Sequence, residues 1–198
     1  MSTPFTHAVV ALAAGKTFMT GKMPARFWLL AALCAVLPDV DGLAFSLGIP
    51  YEHVLGHRGL SHSLPFALLV SAAVVGLGFR NVPRLSRRWW GLWAFFFLVA
   101  ASHGVLDAMT DGGLGVAFFA PFSSARYFLP WRPLPVSPIG LPAFLSRWGL
   151  EVILSEILWI WIPAIVLVLL VGVCRRAAGG RARPSAVEAG KQRQGTAA

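Results

Sequence analysis

Residues 89–109 read WWGLWAFFFLVAASHGVLDAM. The stretch is apolar for most of its length, opens on aromatic residues suited to a membrane–water interface, and carries His103 and Asp107 only near its far end. About 20 apolar residues at ~1.5 Å each cross the hydrocarbon core of a bilayer, so this segment is expected to be a spanning helix. His103 and Asp107 are four residues apart and share a helix face. The expected fold is therefore all-α, a polytopic membrane helical bundle.

Composition agrees. Hydrophobic residues make up 57% of the 198 and charged residues 13%, and the mean hydropathy is +0.69. These values exclude an ordinary soluble domain. Working outward, four more apolar segments bring the total to about five membrane-associated helices. The first begins in STPFTHAVVALAAGKTF, with Thr3 as cap and Pro4 in the first turn, and ends between Lys16 and Gly21. The second begins at Pro24, and Pro38 predicts a stop or kink just before Asp39. The third runs from about Ser61 to Phe79, and the fifth from about Glu151 to Val173 with a kink at Pro163. Residues 111–150, rich in Gly and Pro, predict an irregular excursion outside the membrane, lying on the interface through Trp131. Residues 1–174 form the membrane-embedded domain. Residues 175–198 read as a basic, disordered tail. Cys34 and Cys174 fit no spaced metal motif or disulfide framework.

The net charge of +9 invites a nucleic-acid reading, but the positions of the cations favour membrane topology. Lys16, Lys22, Arg26, Arg80, Arg84, Arg87, Arg88 and six residues of the tail fall on one side; Arg58, Arg126, Arg132 and Arg147 fall on the other. The positive-inside rule puts the tail in the cytoplasm and the N-terminus outside. No specific nucleic-acid binding is predicted, and membrane lipids are the expected surroundings. With no Lys or Arg before Lys16, the first apolar segment reads as a retained helix rather than a cleaved signal.

This topology brings seven ionisable residues to a common depth at the outer end of the bundle. They are His7 on helix one, Asp39 and Asp41 on helix two, His57 and His62 before helix three, and His103 and Asp107 on helix four. A single polar pair at a helix end is commonly a solvated terminus. Each ionisable group recessed toward the bilayer centre, however, costs roughly 2.5–3.5 kcal/mol, so such a cluster calls for partners or a metal. Imidazole and carboxylate suit zinc, with manganese or iron as rivals. Arg58 offers a bidentate clamp for a phosphate or carboxylate oxygen, or equally an interfacial contact to lipid headgroups. Glu52 and His53 read as solvated. Ser61 and Ser63 lack a nucleophile-elbow context, and GGLG at 112–115 reads as a turn rather than a phosphate loop.

The ordered motifs TPFTH (3–7), LPDVD (37–41), HRGLSHS (57–63) and SHGVLDAMTDGG (102–113) resemble the YdjM-like family of inner-membrane, metal-dependent hydrolases over roughly residues 1–115. The resemblance implies a multi-pass protein of a bacterial-type inner membrane. It also implies metal held by His7, Asp39, Asp41, His57, His62, His103 and Asp107, with Arg58 and Thr110 in support. In the expected chemistry Asp39 or Asp41 accepts the proton of a metal-activated water and Arg58 stabilises charge on the substrate oxygen, with a phosphoester or lipid-linked substrate. The rival expectation is a non-enzymatic membrane protein that binds metal for transport or assembly. A transport path would need polar residues through both halves of the bilayer, and the inner halves of these helices are apolar.

Overall fold

A computed structural model describes residues 1–181. The regular elements among them are helical: α1 (Pro4–Phe18), α2 (Ala25–Val36), a 3-10 turn (Leu37–Gly42), α3 (Leu43–Ser46), a second 3-10 turn (Leu60–His62), α4 (Leu64–Gly78), α5 (Arg87–Ala108), α6 (Leu141–Phe144), α7 (Arg147–Glu156), a π segment (Ile157–Trp161) and α8 (Ile162–Arg181). Three runs are long and apolar enough to cross a membrane: Ala25–Ser46, Arg87–Ala108 and Arg147–Ala178. Leu64–Gly78 is a shorter apolar helix beside them. Helix five thus continues past Val173 to Arg181. The rest of the tail, read from sequence as disordered, lies outside the described residues.

Pro38 ends the α-helical part of helix two, which stops at Val36 just before Asp39, as expected. It sits at the start of a 3-10 turn, where its missing N–H is no loss, and the chain continues helically to Ser46 as a 22-residue run. That turn separates Asp39 and Asp41 by about two thirds of a revolution. Pro163 is accommodated just as locally. The backbone widens into the π segment immediately before it, relieving the clash of the proline ring with the preceding turn.

The packed interior divides into two halves. Toward the α1–α2 and α4–α5 connections it is apolar, with Phe27, Phe79, Phe95 and Phe96 packed ring to ring and Ala11, Ala31, Ala35 and Ala67 allowing close helix approach. Toward the opposite end it is polar. Ser63 caps α4 by accepting from the Phe66 amide, which fixes where the 57–62 loop joins the bundle. Gly104 lets α5 pass under that loop: a Cβ there would lie 2.9 Å from the His62 carbonyl oxygen. The excursion after α5 is irregular, as expected, and folds back over the polar end through bridges Thr110–Leu134 and Val116–Tyr127. Trp131 stands edge-on to Trp159.

Thr3 occupies the cap position of α1, yet its side chain makes no capping bond. Its hydroxyl and amide instead donate to Glu156, a fully buried acid at the end of α7, which also accepts from Thr6 Oγ1 at 2.7 Å. Trp161 Nε1 donates to the same Thr6 hydroxyl at 2.7 Å, and the π segment helps bring these two residues, five apart, toward one side. The fifth helix is thereby tied to the end of the first. Glu156→Ala would strand three donors in an apolar setting, a loss of roughly 3–5 kcal/mol. A clear fall in the thermal midpoint of purified Glu156→Ala protein is expected, with Glu156→Gln milder; an unchanged midpoint in both would contradict the role.

Candidate metal centre

Asp39, His62, His103 and Asp107 bring one donor atom each to within 4.8 Å of one another. Their separations follow a compact polyhedron: His62 Nε2 to His103 Nε2 is 3.0 Å, His62 Nε2 to Asp107 Oδ2 is 3.4 Å, and His103 Nε2 to Asp39 Oδ1 is 3.3 Å. Donors bound at ~2.0 Å in a tetrahedral zinc site stand roughly 3.3 Å apart. All four side chains are nearly or fully buried.

The second nitrogen of each imidazole explains the convergence. His103 Nδ1 lies 2.7 Å from the Ala35 carbonyl, which can only accept, so Nδ1 carries the proton and Nε2 is a lone pair. His62 Nδ1 lies 3.0 Å from Asp41 Oδ2, which orients it the same way. The two Nε2 atoms, 3.0 Å apart in a buried space, can share either a proton or a metal cation. Both oxygens of Asp39 and Oδ2 of Asp107 are buried without a hydrogen-bond partner. The donor set therefore fits a divalent cation, and zinc, manganese and iron all suit it. In the metal-free protein a proton serves instead. Burial opposes charge on His62, but its bonds to Asp107 and Asp41 outweigh that and push its pKa up to about 9. Metal entry must displace this proton, so binding weakens on acidification.

The remaining sequence-derived residues surround this centre. Asp41 accepts from His57 Nδ1 at 2.6 Å, the Arg58 amide at 3.0 Å and Ser61 Oγ, and its Oδ2 lies 3.0 Å from His62 Nδ1, which also meets Ser61 Oγ at 3.0 Å. These contacts take up most of the lone-pair positions of the carboxylate. Asp41, His57 and His62 also form a second group of close donors. His7 stacks on the His103 ring, with centroids 3.6 Å apart, and its Nε2 meets Ser2 Oγ at 3.0 Å; its Nδ1 has no partner. It is therefore beside the four-residue group rather than in it. Arg58 is fully buried, and its backbone lies in the left-handed region at φ 59°, which turns the side chain inward. Its guanidinium donates to Gly112 O and Thr110 Oγ1, both at 2.9 Å, and Nε lies 3.1 Å from Asp107 Oδ2. Arg58 thus braces Asp107 and the 110–112 turn. Glu52 and His53 are exposed, as expected.

Three participants were not singled out from sequence. Ser2 bonds Asp107 Oδ1 through its amide at 2.8 Å, and nothing in the sequence signals that contact. Tyr51 lines a cavity with His57, Arg58 and Gly113. Burial raises its phenol pKa against the opposing pull of Arg58. Glu156 did carry a signal, being an acid set within the apolar run that follows Glu151.

Among described residues the ionisable cluster lies at one end of the bundle, the arrangement that the sequence motifs predict. A YdjM inner membrane protein model matches residues 1–180. The chain is also 38% identical over 172 residues to Inner membrane protein YbcI of Escherichia coli (strain K12), covering 84% of this chain and 95% of that relative. No solved structure matches. With the family model extending over almost the whole membrane domain, well past the motifs, the chain belongs to the YdjM inner membrane protein family.

Proposed function

We propose that this protein is an integral inner-membrane hydrolase in which Asp39, His62, His103 and Asp107 hold a divalent metal, zinc before manganese or iron. The observation that carries the reading is the approach of two imidazole Nε2 atoms to 3.0 Å, with their Nδ1 atoms held from behind by Ala35 O and Asp41, beside two buried carboxylates whose facing oxygens accept no hydrogen bond. When bound, such a cation supplies a Lewis acid that lowers the pKa of water to about 7.

The protein's own residues divide the remaining work. Asp41 orients His57 and His62 through their Nδ1 atoms, which fixes the ring tautomers. His57 lines the open cavity, and among the described residues no hydrogen bond occupies its Nε2. It also stands in the donor group with Asp41 and His62, and we assign it the task of accepting a proton from water and returning it to a leaving group. Arg58 holds Asp107 and the 110–112 turn, so its part is to position a ligand rather than to meet substrate oxygen. The substrate reading is a phosphoester or lipid-linked ester.

The direct test is to assay metal-loaded protein in lipid against phosphate esters, phospholipids and simple carboxylic esters. Metal-dependent turnover on one class supports the reading. Retained metal without turnover on any class would favour a metal-binding role in transport or assembly, although the apolar inner half argues against a transport path.

We further propose that the site faces outward and the C-terminus lies in the cytoplasm, on the asymmetry of Lys and Arg. With Cys34 and Cys174 removed, Ser124→Cys is expected to react with an impermeant thiol reagent in intact cells while Arg84→Cys stays protected. The reverse pattern would invert the orientation.

A further inference from the structure

The cavity beside His57 continues beyond the polar residues. It has a volume of about 340 Å³, and Tyr51, His57, Arg58 and Gly113 line one part of it. Met1, Ser137 and Ile139 line another part, and the same three residues line a second groove of about 370 Å³. Phe5, Phe45, Pro138, Leu141 and Phe144 wall that groove, and no charged side chain enters it. We propose that the two spaces form one seat for a bilayer phospholipid, the groove holding an acyl chain and the His57 cavity receiving an ester of the head. This rests on the hydrolase reading and specifies its substrate class.

Three observations support this occupant. The spaces share Met1, Ser137 and Ile139, and only the first offers polar side chains such as His57, Arg58 and Tyr51, so a molecule with an apolar chain and a polar head matches the pair. The groove is built by the start of α1, by α3 and by α6, the elements adjoining His7, Asp41 and the site's covering loop, so the chain lies at the depth of the candidate centre. Phe5, Ile139 and Leu141 are 58%, 66% and 68% exposed, forming an apolar rim open to surrounding lipid. A small water-soluble phosphoester would leave this groove without an occupant.

Full-length protein is reconstituted in phosphatidylethanolamine–phosphatidylglycerol vesicles containing a trace of phospholipid with a diazirine on its acyl chain. It is then irradiated, and the adducts are mapped. Labelling concentrated on Phe5, Phe45 and residues 138–144, competed by unlabelled phospholipid, is expected. It should fall at least tenfold in Ile139→Asp, and also in Ile139→Trp, which narrows the passage by volume alone. Leu145→Trp, exposed but outside the groove, should label as wild type. Labelling spread over the groove and α8 in proportion to exposure, unchanged in both Ile139 variants, would overturn the proposal. Metal content of the same samples separates the two ideas. Metal-loaded protein without groove labelling overturns the lipid seat alone, whereas groove labelling in protein that binds no metal supports the seat and overturns the hydrolase reading.

Discussion

His57→Gln protein is expected to keep its metal and lose hydrolytic turnover by about 10²–10⁴-fold, the usual contribution of a positioned proton-transfer group. Glutamine retains a donor of similar reach but cannot take up a proton, so the cavity wall is conserved while the chemistry is removed. Two contrasts give the test its resolution. Asp41→Asn should lower turnover as well, and in addition weaken metal binding by roughly 10–100-fold, because it loosens His62 from behind. Arg58→Lys should act through the Asp107 ligand and the 110–112 turn, since the guanidinium already meets Gly112 O, Thr110 Oγ1 and Asp107 Oδ2. Unchanged turnover in metal-loaded His57→Gln protein would remove His57 from the chemistry and return the search for a base to Asp39.

Replacement of His62 or His103 by alanine has the other large expected effect. Four-ligand zinc sites bind with apparent free energies of about 10–16 kcal/mol, so one ligand of four is worth roughly 3 kcal/mol, or on the order of a hundredfold in affinity. His62→Ala should be the more damaging. It removes a donor and also takes an ion-pair partner from Asp41. His7→Ala should change affinity far less, since its ring packs on His103 without joining the four donors. Equal loss from all three substitutions would point to a collapsed polar core in place of a metal centre. Preserved thermal midpoints in the presence of metal would argue against collapse.

The fold was readable because membrane helices announce themselves by length and composition. The stretch 89–109 predicts α5 to within a few residues, and the polar ends of four segments predict a one-sided cluster. Pro38 marks the end of α2, but not the helical run beyond it, because a proline costs little at the start of a 3-10 turn, a local choice made by the packing of the Leu37–Gly42 segment and invisible to pattern. The division of roles within the cluster was beyond the sequence for a related reason. Asp39 and Asp41 are chemically identical and two residues apart; only the turn that carries them sends one toward His103 Nε2 and the other to the far nitrogen of His62. Arg58 looked free to meet a substrate because its acceptors lie 50 or so positions away in the chain, at Thr110 and Gly112. Glu156 was legible in principle, as an acid carried into a spanning segment, but its partners Thr3 and Thr6 lie at the opposite end of the sequence.

The central claim is that two imidazoles and two carboxylates converge because they hold a cation. Elemental analysis of wild-type protein, purified without chelator and again after stripping and reconstitution, tests it most directly. About one equivalent of a transition metal per chain, zinc first, is the expected result for a four-donor site. Protein that is metal-free on purification and takes up none of zinc, manganese or iron on reconstitution would contradict it, leaving His62 as the protonated centre of a purely structural cluster.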